Sequence, residues 1–414
     1  MPESKSLIVT ILLVMLTAMG PVTTDLYLPS LPSLTTDLNT NVATAQLTLS
    51  VFMIGFALSQ IIYGPLSDRF GRRPVVIIGF SLYTLASIAC AFAWNIETLI
   101  IARFFQAVGG CSGVVIARAA VRDIYGPTES ARVLALLGAA MGLAPAISPV
   151  IGGFIHKFYG WTGNFMALTL YGAVTVVMAF LIFAETNRHK DPTALNPRAM
   201  ARNFASLATA RRFVGYSLTN TFIFASLFTF ISGSSFVYID VYNIPPEDFW
   251  IYFSACPLGY VLGSLTSARL SRRVGPDSLI LAGVLFGTVT SLIGMAAMGL
   301  GADGPVTITL SVIGVFVAVG MVMPNSIASA IAPYPKMAGA ASSLLGLVQM
   351  TVGATAGIVV GVTFDGTAWP MMFLLSLMNI SGLTAYLLLI RARGLSQMQD
   401  VPKDDPADPV PPAS

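Results

Sequence analysis

Asp25 and Arg103 are charged residues set inside long apolar runs. Ionisable side chains are expensive within a membrane-spanning segment and mark function by default. Asp25 precedes LYLPSLP, and burial there would disfavour its ionised form, so it could hold and release a proton or meet a cationic group. The competing reading is structural, with Asp25 capping a helix end or pairing at the outer interface. Arg103 is its natural partner. The first helix would run outward and the fourth inward, and at about 1.5 Å per residue the two side chains reach similar depth. An Arg103–Asp25 pair broken by a proton or a cationic substrate would couple the two. Alternatively, Arg103 bonds backbone carbonyls of a first helix broken near Pro21 and Pro29. Arg118 lies roughly 22 Å further inward along the fourth helix. It either lines an inward vestibule or snorkels to the surface beside Arg122.

A second knot of charge sits in GPLSDRFGRRPV, from Gly64 to Val75. Asp68 and Arg72 stand at i,i+4 and can pair if the second helix continues that far. Asp123, at the inner end of the fourth helix, is at the right level to join them. Gly64, Asp68, Arg69, Gly71, Arg72, Arg73 and Asp123 thus read as a latch that closes the inner gate in the outward-open state and separates in the inward-open one. The plainer reading is a basic loop that sets topology, which leaves Asp68 unexplained.

The elements that must position these groups follow from composition. The chain has 414 residues, 55% hydrophobic and 10% charged, with mean hydropathy +0.78. Soluble domains carry about 25% charged residues, so most of this surface must face lipid. Spans need about 20 apolar residues. Twelve candidates fall near 7–29, 43–65, 74–94, 98–120, 132–155, 162–184, 212–236, 249–270, 278–300, 305–327, 338–361 and 369–391, here spans 1 to 12. The expected class is all-α and integral to the membrane. A polar linker, 185–211, separates an N-terminal half (1–184) from a C-terminal half (212–393), with a disordered tail at 394–414. With both termini cytoplasmic, every lysine and arginine except Lys157 and Arg103 falls on the inner side, as the positive-inside rule requires. Cys90, Cys111 and Cys256 lie in apolar segments and read as small buried residues.

The chain also repeats. Ser67, Arg69, Arg72 and Arg73 recur 200 positions later as Ser267, Arg269, Arg272 and Arg273, with Ala268 in place of Asp68. Two six-helix halves in parallel repeat are a transporter arrangement, with the site at the midplane between them.

Here the chain resembles the major facilitator superfamily. GPLSDRFGRRPV is similar to its loop motif between helices 2 and 3. RFFQAVGG (Arg103–Gly110) is similar to its helix-4 motif, with Ala107 where Gly is usual. LAPAISPVIGG resembles the helix-5 motif of drug/proton antiporters through Pro149, Gly152 and Gly153, with Ala144 and Ser148 in place of glycines. TTDLYLPSLP, ARAAVRDIYG and SGSSFVY resemble the bicyclomycin/chloramphenicol resistance subfamily. The resemblance spans about residues 5–393.

It implies a proton-driven exporter of small amphipathic drugs in the bacterial inner membrane, working as a monomer in lipid without a cofactor. Pro145 and Pro149 would break the backbone ladder of span 5, and Gly138, Gly142, Gly152 and Gly153 would let a neighbour approach. The apolar cavity between the halves draws its candidates from Asp25, Tyr27, Gln46, Arg118, Asn220, Phe224, Phe228, Tyr238, Asn325 and Gln349. One Asp against one Arg suits neutral or zwitterionic cargo. There is no GxxxxGK[ST] phosphate loop and no catalytic constellation. His156 and His189 fall near opposite faces, which disfavours a metal site, and nothing points to nucleic acid. Transport of a small metabolite in either direction, or a membrane sensor that does not transport, are the other readings.

Overall fold

The computed structural model describes residues 6–125, 127–187, 190–192 and 194–391. The tail, with Arg393 and Lys403, lies outside the described residues, as do Lys5 and His189.

Polar caps set several helix starts. Ser6, Asn41 and Asn95 each accept a hydrogen bond from a backbone N–H three residues on, opening spans 1, 2 and 4. Such caps satisfy donors that the first turn leaves unpaired. Span 1 is a helix Leu7–Asp25, a tight turn Leu28–Ser30 and a short helix Leu31–Asp37. Spans 2, 3 and 4 are Val42–Phe70, Arg72–Ala91 and Ile96–Ile124. Residues Pro127–Ile182 run as 56 helical residues interrupted at Gly160, whose φ is 65°. A straight helix that long would extend about 84 Å, far beyond a hydrocarbon core of about 30 Å. Gly160 is therefore the turn between spans 5 and 6.

The C-terminal half repeats the plan. Span 7 is Arg211–Ser235, continued by a wider helical turn over Phe236–Val241. Span 8 is Phe249–Phe253 with Cys256–Val274, and span 9 is Pro276–Gly299. Spans 10, 11 and 12 are Pro305–Ile331, Ala338–Thr363 and Trp369–Tyr386. Span 4 packs on spans 2 and 3 as span 10 packs on spans 8 and 9. The result is an all-α major facilitator fold, two six-helix halves in pseudo-twofold repeat. Span 2 against span 11 is the principal seam between them. Exposed Ile78, Leu85, Phe180, Ile293 and Leu310 belong to the apolar outer surface that such a bundle turns to lipid.

Three details stand beside the expectations, and one of them, at Gly138, is a correction. Pro145 and Pro149 each lack the N–H that would pair back along the ladder, yet both sit inside continuous helix; spanning helices tolerate proline because neighbouring groups take over the freed carbonyls. Gly138 has open space beside its Cα, so nothing requires a glycine there. The linker contains a helix of its own, Pro197–Thr209, packed on spans 7 and 11. The cysteines are free and buried.

The sequence repeat also slips by one turn. In the first half the chain breaks at Gly71 (φ 105°, ψ 157°), so Arg72 and Arg73 begin span 3. In the second it breaks at Gly275 (φ 77°, ψ 164°), so Arg272 and Arg273 stay in span 8.

Candidate functional site

Arg103 is fully buried in a cage of aromatic rings. Its guanidinium carbon lies 4.4 Å from the Phe52 ring centre, 4.7 Å from Tyr27 and 5.7 Å from Phe165. Nη1 donates to Gln106 Oε1 at 2.6 Å and to the Thr23 carbonyl at 3.4 Å, and Nε to the Thr48 carbonyl at 3.4 Å. Gln106 in turn donates to Ser87, and the Tyr27 and Thr48 hydroxyls are 2.6 Å apart. One cation thus ties spans 1, 2, 3, 4 and 6 together. The carbonyl reading applies: Arg103 reaches the backbone two residues before Asp25 and forms no ion pair with it. The depth argument placed it correctly; what it could not give was the direction of the guanidinium, which Gln106 and the rings fix.

Asp25 is buried, and its Oδ1 accepts a hydrogen bond from the Thr24 hydroxyl at 2.8 Å. Among the described residues no lysine, arginine or histidine pairs with it. Tyr27, expected in the cavity, is instead part of the Arg103 cage. Tyr238 is also core: its hydroxyl meets Thr309 at 2.7 Å and its ring stacks on Tyr252. Asn325 donates to Ser267 Oγ and to the Met321 carbonyl within the second half.

Three elements do converge between the halves. Asn220 donates to Gln349 at 2.7 Å, Phe224 and Phe228 stack at 6.4 Å, and Gln46 faces Gly361. Arg118 has a solvent-accessible side chain although protein surrounds it closely, and no carboxylate pairs with it among the described residues. Arg122, one turn away, is exposed as well.

The charge knot forms as its spacing predicts, but within one half. Arg72 Nη1 lies 2.6 Å from Asp68 Oδ1 and Nε lies 3.1 Å from Asp123 Oδ2. Nη1 also donates to Ser67 Oγ at 2.5 Å. Arg73 donates to the Phe180 carbonyl and covers that ring, while Arg69 lies over Phe70. Gly64 has no close neighbour to a would-be Cβ. Glu185, which the sequence did not single out, accepts the backbone N–H groups of Arg72 at 2.9 Å and Arg73 at 3.2 Å. A carboxylate on the first turn of a helix completes its unpaired donors and its dipole. The linker is tied on as well: Asn187 and the Asp191 N–H donate to the Asp68 carbonyl. All these groups belong to the first half or to the linker, so among the described residues the knot braces one rim of that half and does not bridge to the second.

At the opposite rim the halves do meet. Lys157 Nζ lies 3.0 Å from Glu247 Oε1, and a Cβ on Gly153 would stand 3.0 Å from the Pro246 carbonyl. Glu247 is held below the ordinary glutamate range by a hydrogen bond from its own backbone N–H and by Lys157. Gly152 packs on the Leu26 carbonyl with no room for a side chain, and Gly142 faces the Tyr260 ring across the halves. Beside this contact Ser30 Oγ sits 2.9 Å from His156 Nδ1 and accepts from Asn164 Nδ2 at 2.8 Å.

Two packed six-helix halves around a central seam define a membrane transporter, and the chain belongs to the major facilitator superfamily. A profile described as Major Facilitator Superfamily matches residues 8–358. A Bicyclomycin resistance protein homolog from Haemophilus influenzae is 31% identical, over 95% of this chain and 100% of that protein. An uncharacterized MFS-type transporter, YdgK of Bacillus subtilis, is likewise 31% identical, over 95% of this chain and 98% of that one. Multidrug resistance protein MdtL of Salmonella newport is 28% identical over 80% of this chain and 82% of its own. The crystal structure of a D-xylose-proton symporter shares the fold at TM-score 0.70 and 14% identity, covering 93% of this chain and 97% of that one.

Proposed function

We propose that the chain exports small, neutral or zwitterionic antibiotics, of the amphenicol and bicyclomycin kind, in exchange for protons by alternating access. It works as a single chain in the bacterial inner membrane, with both termini and the basic rim cytoplasmic, and it performs no enzymatic step. The observation that carries this is Asp25: a buried carboxylate in a broken span, bonded to one hydroxyl and with no counter-ion among the described residues. Such a group can change its proton occupancy as its access to water changes. The resistance and multidrug relatives support the cargo class. Two states follow, one closed at the Lys157–Glu247 rim as here and one opened there, and Asp25 protonation biases the choice between them.

Inside-out vesicles carrying the protein test the reading. Energised vesicles should accumulate chloramphenicol, and adding it should release protons; Asp25→Asn should abolish both. Vesicles that do neither with the native protein would overturn the exporter reading. Native-rate exchange by Asp25→Asn would overturn the coupling role alone.

A further inference from the structure

A band of unsatisfied polar groups lies where spans 2, 7 and 11 meet. Span 11 presents Gly361 to Gln46 and Gly357 to Ser50. A Cβ on Gly361 would stand 2.6 Å from Gln46 Oε1, and one on Gly357 would stand 2.9 Å from both Ser50 Oγ and the Phe228 ring. The two helices run antiparallel, with one glycine opposite each polar side chain. Both carboxamide atoms of Gln46 and the hydroxyls of Ser50 and Ser235 are buried without a hydrogen-bond partner among the described residues. Ser232, on span 7, reaches only the Gly357 carbonyl, at 3.5 Å.

Buried side-chain polar groups are mostly partnered in folded proteins. A glutamine can donate twice and accept at its carbonyl, and Gln46 uses none of this capacity. The glycines bring no side-chain partner, and of their carbonyls only that of Gly357 takes a second bond, the long one from Ser232. None of the four side chains is charged, and Phe228 provides an apolar wall. The ligand this chemistry fits is uncharged, with hydroxyl or amide groups on one side and an apolar face on the other. The band lies toward the rim where the halves meet, since Gln46 is near the start of span 2 and Gly361 near the end of span 11.

We propose that Gln46 and Ser50, with Ser232 and Ser235 opposite, form an exit-side substrate station. It takes up the hydroxyl and amide groups of a neutral antibiotic once the halves part at that rim. The station rests on the exporter reading and narrows the substrate class to neutral polyol or amide compounds over lipophilic cations.

Equilibrium binding to the purified full chain tests it, with chloramphenicol and its 3-deoxy analogue as probes. Gln46→Leu should weaken chloramphenicol about tenfold and the deoxy analogue by less than about threefold, since a lost direct bond couples to the ligand group that made it. Ser50→Ala, a smaller change, should show the same preference for the hydroxylated ligand. A variant that only shifts the conformational balance would weaken both ligands equally, and that result overturns the station. So would unchanged affinities, or a native protein that binds neither probe. Chloramphenicol binding with the expected analogue preference, but no vesicle export, would leave the station standing and remove the exporter reading. Export without the analogue preference would do the reverse.

Discussion

Gly71→Ala tests the brace at the start of span 3, and Gly275→Ala is its matched control. Both glycines sit at positive φ with ψ near 160°, a region open essentially to glycine alone, where another residue costs roughly 1–3 kcal/mol. The surroundings differ. A Cβ on Gly275 meets nothing within 4 Å, whereas one on Gly71 would collide with the Glu185 carboxylate. Glu185 must then leave the Arg72 and Arg73 N–H groups. Bonds to a charged acceptor contribute about 1.5–3 kcal/mol each; Glu185 is exposed, so about 1 kcal/mol each is the fitting share. Gly71→Ala should therefore cost about 2 kcal/mol more than Gly275→Ala. Thermal unfolding of the purified protein reads the difference. In a Glu185→Ala background it should vanish, because only the backbone cost remains. Equal losses in the native background would refute the account of Glu185 as the cap of span 3.

Arg103→Lys keeps the charge but loses the planar fork, and with it the bonds to Gln106 and two carbonyls; a loss of about 2–4 kcal/mol should lower the melting temperature by several degrees. Asp25→Asn should leave that temperature nearly unchanged, because Arg103 is not its counter-ion; a matching drop would restore the pair. Asp123→Asn should destabilise more than Asp68→Asn in the same assay, since Asp123 is the less exposed partner of Arg72 and also accepts from Thr186; the reverse order would count against the brace. The Lys157–Glu247 contact contributes about 0.2–1 kcal/mol, as exposed pairs do. Because Glu247 is held below its ordinary range, the contact is fully present above that range and lost as pH falls through the lowered value. In an Asp25→Asn background, which removes the coupling carboxylate, spin labels at Asp37→Cys and Asp365→Cys should report unchanged separation between pH 8 and 6 and broadening only in strong acid.

The sequence made the bundle legible because apolar length and basic asymmetry are physical requirements of the bilayer. Asp68–Arg72 was legible because helical spacing alone brings them together. Glu185 was not, since its partners lie more than 110 positions away and a polar linker gives no period to follow. Arg103 was placed at the right depth, but side-chain direction depended on Gln106, Phe52 and Phe165. The repeat was visible, whereas its one-turn slip was not, because Gly71 and Gly275 fix the helix break and the arginines do not. Gln46 appeared among the cavity candidates, yet only packing against Gly361 shows that it lacks partners.

The attachment of the linker has a mechanical consequence. Residues through Asp191 are bonded to the first half, and from Pro197 the linker helix packs on spans of the second. Between these two attachments, from Asp191 to Pro197, the chain takes only six residue steps, although the linker is far longer. At about 3.3–3.6 Å per residue those steps extend at most ~22 Å. They set a ceiling on how far the two halves can swing apart at the linker's rim, a built-in stop that the spans themselves do not supply.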